Sequence, residues 1–151
     1  DGLDVIGEAA ARWGAQAVTV CLPYRRDWRG RTVIRVGGGG TKLKLGLHEL
    51  LSQLGPAGAG EILLYSIDAD GTWSGFDLEE LHRASQTADL PLVACGGAGR
   101  IEDLASAVRE GNASAVAAGS MFVYQAKGKG VLISYPDRSR LAEALRPKGE
   151  Y

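Results

Sequence analysis

The stretch GAGEILLYSIDADGTWSGFDLE, residues 58–79, decides the fold of this chain. It begins with a glycine-rich stop and continues with the apolar run EILLYSI at residues 61–67. It then turns through Asp68, Asp70 and Gly71 into an amphipathic segment. A short, continuous apolar run is typical of a strand buried in a parallel sheet, and an amphipathic segment predicts a helix that covers such a sheet. The stretch therefore predicts one βα unit.

The same unit recurs along the chain. Apolar runs predict further strands at residues 17–22, 90–95 and 113–118. Helical spacing of apolar residues predicts helices at residues 3–13, 43–54, 77–87, 100–110 and 137–145. Glycines stop several of these helices just before a strand. About four repeats of strand and helix predict an α/β fold with parallel strands covered by helices.

Two segments depart from the repeat. Residues 31–36 alternate between apolar and polar side chains and end in four glycines, which predicts an exposed strand of a hairpin-like excursion. Residues 131–135, VLISY, are apolar, and Pro136 ends that run.

Composition excludes several protein classes. The chain has 151 residues, 45% hydrophobic and 23% charged, which suits one globular domain. The formal net charge is −1, so nucleic acid is not expected as a partner. No apolar run approaches the length of about 20 residues that a membrane helix needs, so no membrane partner is expected. Cys21 and Cys95 lie inside apolar runs and are expected to be small buried hydrophobes, which favours a cytoplasmic location.

One basic cluster stands out. It consists of Arg25, Arg26, Arg29, Arg31 and Arg35. A solvated loop or edge strand is the favoured interpretation of such a charge run. An anionic ligand and a partner surface remain the alternatives.

Three polar or glycine-rich turns follow predicted strands. They contain Gly71 and Thr72, Gly96 and Gly97, and Gly119 and Ser120. Ligands bind at the carboxyl ends of parallel strands, where glycines expose backbone N–H groups, and barrel loops of this kind often bind phosphate. The turns therefore predict a site for a phosphorylated small molecule, and ordinary tight βα turns are the alternative.

Asp68 and Asp70 are the candidate catalytic residues. As alternate residues they are expected to point to opposite sides of the strand end, one as a general acid or base and one as a cap. Turn formation by both is equally compatible with the Asp-Gly sequence. His48 and His82 lie mid-helix, where surface or structural roles are favoured, and no metal-ligand spacing or cofactor motif is present.

Residues 58–79, together with LPLVACGGAGRIEDL at residues 90–104 and IGEAAARWGAQAVTV at residues 6–20, resemble the cyclase subunit family of imidazole glycerol phosphate synthase. The resemblance implies that residues 1–151 are one domain, the C-terminal half of a TIM (β/α)8 barrel, from the end of helix four to helix eight. It also implies a glutaminase partner that supplies ammonia, and a ribulose-phosphate ribonucleotide that is cleaved and cyclised.

The resemblance assigns roles to single residues. Asp70 is implied to be an auxiliary polar residue at the barrel mouth, and Glu61 to match a charged residue at the ammonia gate on the other end. Gly71, Gly97, Gly119 and Ser120 are implied to hold one phosphate. Pro23 occupies the place of a catalytic aspartate, so cyclase chemistry is expected to be severely impaired, with Asp68 or Asp27 as candidate substitutes. Cys95 stands where the family often has serine.

The tail, residues 115–138, resembles a paralogous branch that delivers ammonia for the amidation of surface-polysaccharide sugars. The alternative hypothesis is a non-catalytic scaffold with a vestigial phosphate site. Because a half-barrel leaves two sheet edges and an apolar face exposed, a homo-oligomer is expected. The chain begins at Asp1, which leaves open whether it is a fragment or a complete product.

Overall fold

The computed structural model describes residues 2–125, 128 and 130–146, and they form one mixed sheet with helices. The strands are β1 (Thr19–Arg26), β2 (Thr32–Val36), β3 (Thr41–Lys42), β4 (Glu61–Ser66), β5 (Leu92–Cys95) and β6 (Ala115–Ala117). Their order is β3-β2-β1-β4-β5-β6. Four neighbours, β1, β4, β5 and β6, run parallel, and β2 and β3 extend the sheet antiparallel. This is the expected α/β fold, a partial TIM barrel.

The described residues form six α-helices. They are α1 (Gly2–Trp13), α2 (Leu47–Ala57), α3 (Leu78–Thr87), α4 (Ile101–Arg109), α5 (Ser120–Val123) and α6 (Arg138–Leu145). Of these, α2, α3 and α4 connect successive parallel strands. The side chain of Asp77 accepts a hydrogen bond from the Glu80 N–H and caps α3, as its position before that helix predicts. Gly58 ends α2 in the left-handed conformation, at φ 105°. None of the helices described has the length and apolar content needed to span a bilayer.

The core lies on one face of the sheet. Ile62 and Leu64 of β4 are fully buried against helix residues such as Leu51, Leu54 and Leu81. Residues between them along β4, among them Leu63, point to the opposite face and are only half-buried. Helices therefore cover one face of the sheet and leave the other open.

This open face consists of two rows of side chains at matching register. Strand pairing aligns Cys21, Leu63, Val93 and Ala115 in one row and Pro23, Tyr65, Cys95 and Ala117 in the next. In a closed barrel this face would be the interior. Within the described residues, β6 has one unpaired edge, and residues 19–23 of β1 pair only with β4.

The structure corrects several expectations. Cys21 is exposed, so its predicted burial is wrong, because it lies on the face that none of the described helices covers. The first strand begins at Thr19, after a short 3-10 turn, and continues to Arg26 because β2 pairs with its end. Helix α2 begins at Leu47 rather than at residue 43, since residues 41–42 pair with β2.

The apolar tail segment is not a buried strand. Val131 forms an isolated bridge with Tyr124, and Val131, Leu132 and Ile133 are each more than half exposed. The strand predicted at residues 31–36 is confirmed as β2, the second strand of a hairpin, but its predicted exposure is wrong, because Val33 and Ile34 are buried.

Candidate functional site

The turns after β4, β5 and β6 meet at the carboxyl edge of the parallel strands. A Cβ atom placed on Gly71 would lie 3.9 Å from Oγ of Ser120, which is ordinary contact. A Cβ atom placed on Gly97 would lie 3.1 Å from the Cβ of Ala69. Three turns that are distant in the sequence therefore converge, as the parallel topology predicts.

Gly96 and Gly97 are required by the packing of these turns. Both have positive φ, 92° and 113°. An added Cβ would lie 2.5 Å from the Ser66 carbonyl oxygen at Gly96 and 2.1 Å from the Gly75 carbonyl oxygen at Gly97. The Gly75 N–H donates to the Gly97 carbonyl at 2.9 Å, which fixes the second turn against the first.

Several backbone donors at this point have no protein acceptor. Among the described residues, no hydrogen bond engages the N–H of Gly97, Gly119 or Ser120. Gly97 is buried, and buried N–H groups are nearly always paired. The Thr72 hydroxyl, by contrast, donates to the Ala69 carbonyl at 2.6 Å and stabilises its own turn.

Asp70 is held at the open face by Tyr65. The Tyr65 hydroxyl donates to Oδ2 of Asp70 at 2.9 Å. Burial, together with the hydrogen bond and charge of Asp70, raises the pKa of Tyr65 to about 12, so the phenol remains a donor at neutral pH. Burial and the charge of Asp70 also raise the pKa of the Cys95 thiol in the same row.

Asp68 makes a different set of contacts. Its Oδ2 accepts from the Arg26 N–H at 2.8 Å, and its Oδ1 lies 3.1 Å from Nη2 of Arg25. The carboxylate therefore joins the end of β4 to the end of β1. Of the two candidate acids, Asp70 is the one bonded to an open-face side chain, and Asp68 is engaged by two arginines.

Pro23 lies in the same open-face row as Tyr65 and Cys95. It is next to Tyr65 on the neighbouring strand, and Cys95 lies on the other side of Tyr65. The Pro23 ring carries no ionisable group. Asp27 does not supply a carboxylate at the position of Pro23. Its Oδ1 accepts hydrogen bonds from the N–H groups of Arg29 and Arg31 in the hairpin turn, both at 2.9 Å. Glu61 lies at the opposite end of β4, where the Thr19 hydroxyl donates to it at 3.0 Å.

A buried carboxylate that the sequence did not single out anchors the hairpin. Glu80 of α3 is fully buried and accepts from Arg83 at 2.8 Å and from the Thr32 hydroxyl. Arg26 lies 3.4 Å from it and Nε2 of His48 3.2 Å. His48 thus has a structural role, as expected, but Glu80 resembles any first-turn acid in sequence. Only tertiary packing distinguishes it.

The described residues contain no group of three His, Cys, Asp or Glu side chains arranged to hold a metal ion.

Comparison with known proteins assigns the family. The model of the histidine biosynthesis protein family matches residues 1–128. The imidazole glycerol phosphate synthase subunit HisF of Alkaliphilus metalliredigens is 42% identical over 120 residues, covering 80% of this chain and 48% of that protein.

Two proteins named as putative subunits of the same synthase are similar over more of the chain. The hisF2 protein of Pseudomonas aeruginosa is 40% identical over 140 residues, 92% of this chain and 55% of its own length. The hisF3 protein of Vibrio vulnificus is 37% identical over 142 residues, 93% of this chain and 55% of its own length. The chain spans about half the length of the curated relatives it matches. By family match and by identity, this chain belongs to the histidine biosynthesis protein family, and the relatives named above are a subunit and two putative subunits of imidazole glycerol phosphate synthase.

Proposed function

We propose that the chain is a cyclase-type subunit that binds a phosphorylated substrate at the converging turns after β4, β5 and β6. The observation that supports this most directly is the set of unengaged N–H groups on Gly97, Gly119 and Ser120, in turns that approach each other where Ser120 lies near Gly71 and Gly97 near Ala69. Backbone N–H groups that converge on one point bind anions. Gly96 and Thr72 shape the two turns rather than face the ligand.

Phosphate titration followed by NMR tests the site. Saturable shifts of the Gly97, Gly119 and Ser120 amides are expected with inorganic phosphate. Ser120→Ala removes one hydroxyl donor and is expected to weaken binding about fivefold to tenfold. Ser52→Ala, on an exposed part of α2, is the matched control. Unchanged Gly97 and Ser120 amides at saturating phosphate would rule the site out.

For catalysis we propose Asp70 as the general acid or base, positioned by the Tyr65 hydroxyl, with Asp68 a structural partner of Arg25. Because Pro23 supplies no second acid, slow ammonia-dependent turnover of the ribonucleotide is expected, and only when a complementary half-barrel is added. Asp70→Asn is expected to abolish that turnover and Pro23→Asp to increase it. Turnover that survives Asp70→Asn would remove Asp70 from the mechanism.

We further propose a glutaminase as partner, with Glu61 facing the ammonia entrance at the amino end of β4. Among the described residues, the Glu61 carboxylate is bonded only to the neutral Thr19 hydroxyl, so its charge is not balanced by a cation. Glutaminase activity that rises when this chain is added, and rises less with Glu61→Ala, would support the assignment. The resemblance of residues 115–138 favours a role in delivering ammonia for surface-sugar amidation. That role predicts stimulation of the glutaminase without cyclase turnover.

The second candidate function is a self-associating scaffold in which the phosphate site is vestigial. It is favoured by the open face, where Leu63 and Val93 lie uncovered, and by Pro23 in the catalytic row. A second copy of this chain fits the face because each copy carries the same apolar rows and the same unpaired strand edges.

A further inference from the structure

The β1–β2–β3 hairpin presents a basic pocket on the same side of the sheet as the open face. Strand pairing aligns Arg25 with Val33 and Arg35 with Lys42. Since alternate residues share a face, Arg25, Val33, Arg35 and Lys42 all project to the side on which Pro23 lies. A cavity of about 400 Å³ lies there, within the usual size range of small-molecule sites.

Charge in this pocket is only partly balanced. Five cationic residues line it, and Asp27 is the one acidic residue of the lining. Those cations are Arg25, Arg26, Arg31, Arg35 and Lys42.

Three of these cations already have carboxylate partners. Arg25 pairs with Asp68 at 3.1 Å, Arg26 with Asp77 at 3.0 Å, and Arg31 with Asp27 at 2.9 Å. These ion pairs hold the pocket wall in place. In each of them the carboxylate balances the charge of its arginine.

Arg35 and Lys42 have no such partner. Within the described residues, neither side chain makes a hydrogen bond or an ion pair. Moreover, Nε of Arg35 is shielded from solvent although no acceptor meets it. A buried guanidinium N–H without an acceptor is unfavourable unless a ligand supplies one. Two adjacent cationic residues thus line the cavity, and one of them carries a donor that has no acceptor.

We propose that this hairpin pocket is an anion site that binds the phosphate group of a phosphorylated small molecule. A phosphate monoester carries a charge of about −1.5 to −2 near neutral pH, which matches the two unpaired cations. The planar fork of Arg35 suits phosphate oxygens, and Lys42 adds a mobile point charge. Trp28, 84% exposed, lines the same pocket and offers a flat surface to the rest of the ligand.

The site is separate from the turns after β4, β5 and β6. Its residues come from the excursion between β1 and α2, and its anion-binding groups are side chains rather than backbone amides. The Arg25–Asp68 ion pair lies between it and the end of β4. The proposal therefore goes beyond the function proposed above and does not depend on cyclase chemistry.

Titration with inorganic phosphate and with ribose 5-phosphate at constant ionic strength, followed by NMR, tests the proposal. Saturable shifts are expected at the Arg35 and Lys42 amides and at Nε of Arg35. Arg35→Gln and Lys42→Gln are each expected to weaken binding at this site roughly tenfold, because each removes a charge-assisted contact. Lys44→Gln removes the same charge two residues from Lys42, outside the pocket lining, and is expected to leave the affinity unchanged.

The outcomes separate the two sites. Shifts at Ser120 alone, with Arg35 and Lys42 silent, overturn this proposal and leave the turn site intact. Equal weakening by Lys44→Gln also overturns it, because that result shows only general charge attraction. If Arg35→Gln fails to fold, as judged by amide dispersion, the exposed Lys42→Gln still decides the question. Stronger binding of ribose 5-phosphate than of phosphate supports contact with the pocket rim.

Discussion

At the scale of single residues, the strand-end glycines show how closely two turns approach. Gly97 is held at positive φ with the carbonyl of Gly75 where a Cβ would be, whereas Gly119 has open space around it. Glycine is therefore needed for close packing at position 97, whereas at position 119 the space around the backbone is open.

We predict that Gly97→Ala lowers the free energy of unfolding by about 2 kcal/mol or more, since alanine is strained at this φ and collides with a carbonyl oxygen. Gly119→Ala is expected to change it by less than about 0.5 kcal/mol. Urea unfolding of both variants measures the difference. Equal stability of the two would show that the turns do not pack as described.

Tyr65 provides a test of the Asp70 contact. Burial is the largest cause of its raised pKa, and the Asp70 carboxylate adds to it. We predict that Asp70→Asn lowers the pKa of Tyr65 from about 12, because the phenolate no longer faces a negative charge. Glu61→Gln, at the other end of the strand, is the control. NMR titration of the labelled tyrosine ring measures both, and an unchanged midpoint in Asp70→Asn would contradict the contact.

At the scale of elements, the hairpin is fastened to helices α2 and α3 by one buried acid. Glu80 bonds Thr32 of β2 and Arg83 of its own helix, and lies near His48 of α2. A buried carboxylate in such a network stabilises only while its partners remain.

We predict that Glu80→Ala lowers the free energy of unfolding by about 1–3 kcal/mol, because the Thr32 hydroxyl, Arg26 and Arg83 lose the acceptor that they share. Glu79→Ala, at a side chain that is 76% exposed, is expected to change it by less than about 0.5 kcal/mol. Denaturant unfolding compares them, and amide shifts in β2 report the hairpin. Matching losses in both variants would argue against the network.

The hairpin turn gives a pH prediction. Hydrogen bonds from the Arg31 and Arg29 N–H groups, with the Arg31 guanidinium, hold the pKa of Asp27 below its usual 3.8. A depressed folded pKa means that its stabilising contribution is present above about pH 4 and is lost as the pH falls through the folded value. NMR titration of the Asp27 carboxyl should give a midpoint below 3.8, and Asp27→Asn should reduce the acid sensitivity of the hairpin amides. A midpoint at or above the ordinary value would sink the prediction.

At the scale of the whole molecule, the helices that the structure describes cover one side of the sheet. The open face exposes or half-exposes two apolar rows, and the unpaired edges border it. Apolar area of this kind favours association.

We predict that the chain is a dimer at micromolar concentration and that Leu63→Glu makes it monomeric, because a carboxylate would be buried at the centre of the contact. Val5→Glu, on the outer side of α1 at a residue 65% exposed, is expected to leave the dimer intact. Light scattering after size-exclusion chromatography measures the mass. A monomeric parent chain would contradict the prediction.

The sequence by itself determined the parallel βα order, the hairpin and the turns at the strand ends, because burial periodicity and glycine positions are local signals. It did not determine that Cys21 is exposed, that Asp68 pairs with Arg25 while Asp70 pairs with Tyr65, or that Glu80 is fully buried. Those facts depend on which face the helices cover and which distant side chains meet. Only the tertiary structure decides them, since the free energy of burying a charge or leaving it in water is set by neighbours far away in the chain.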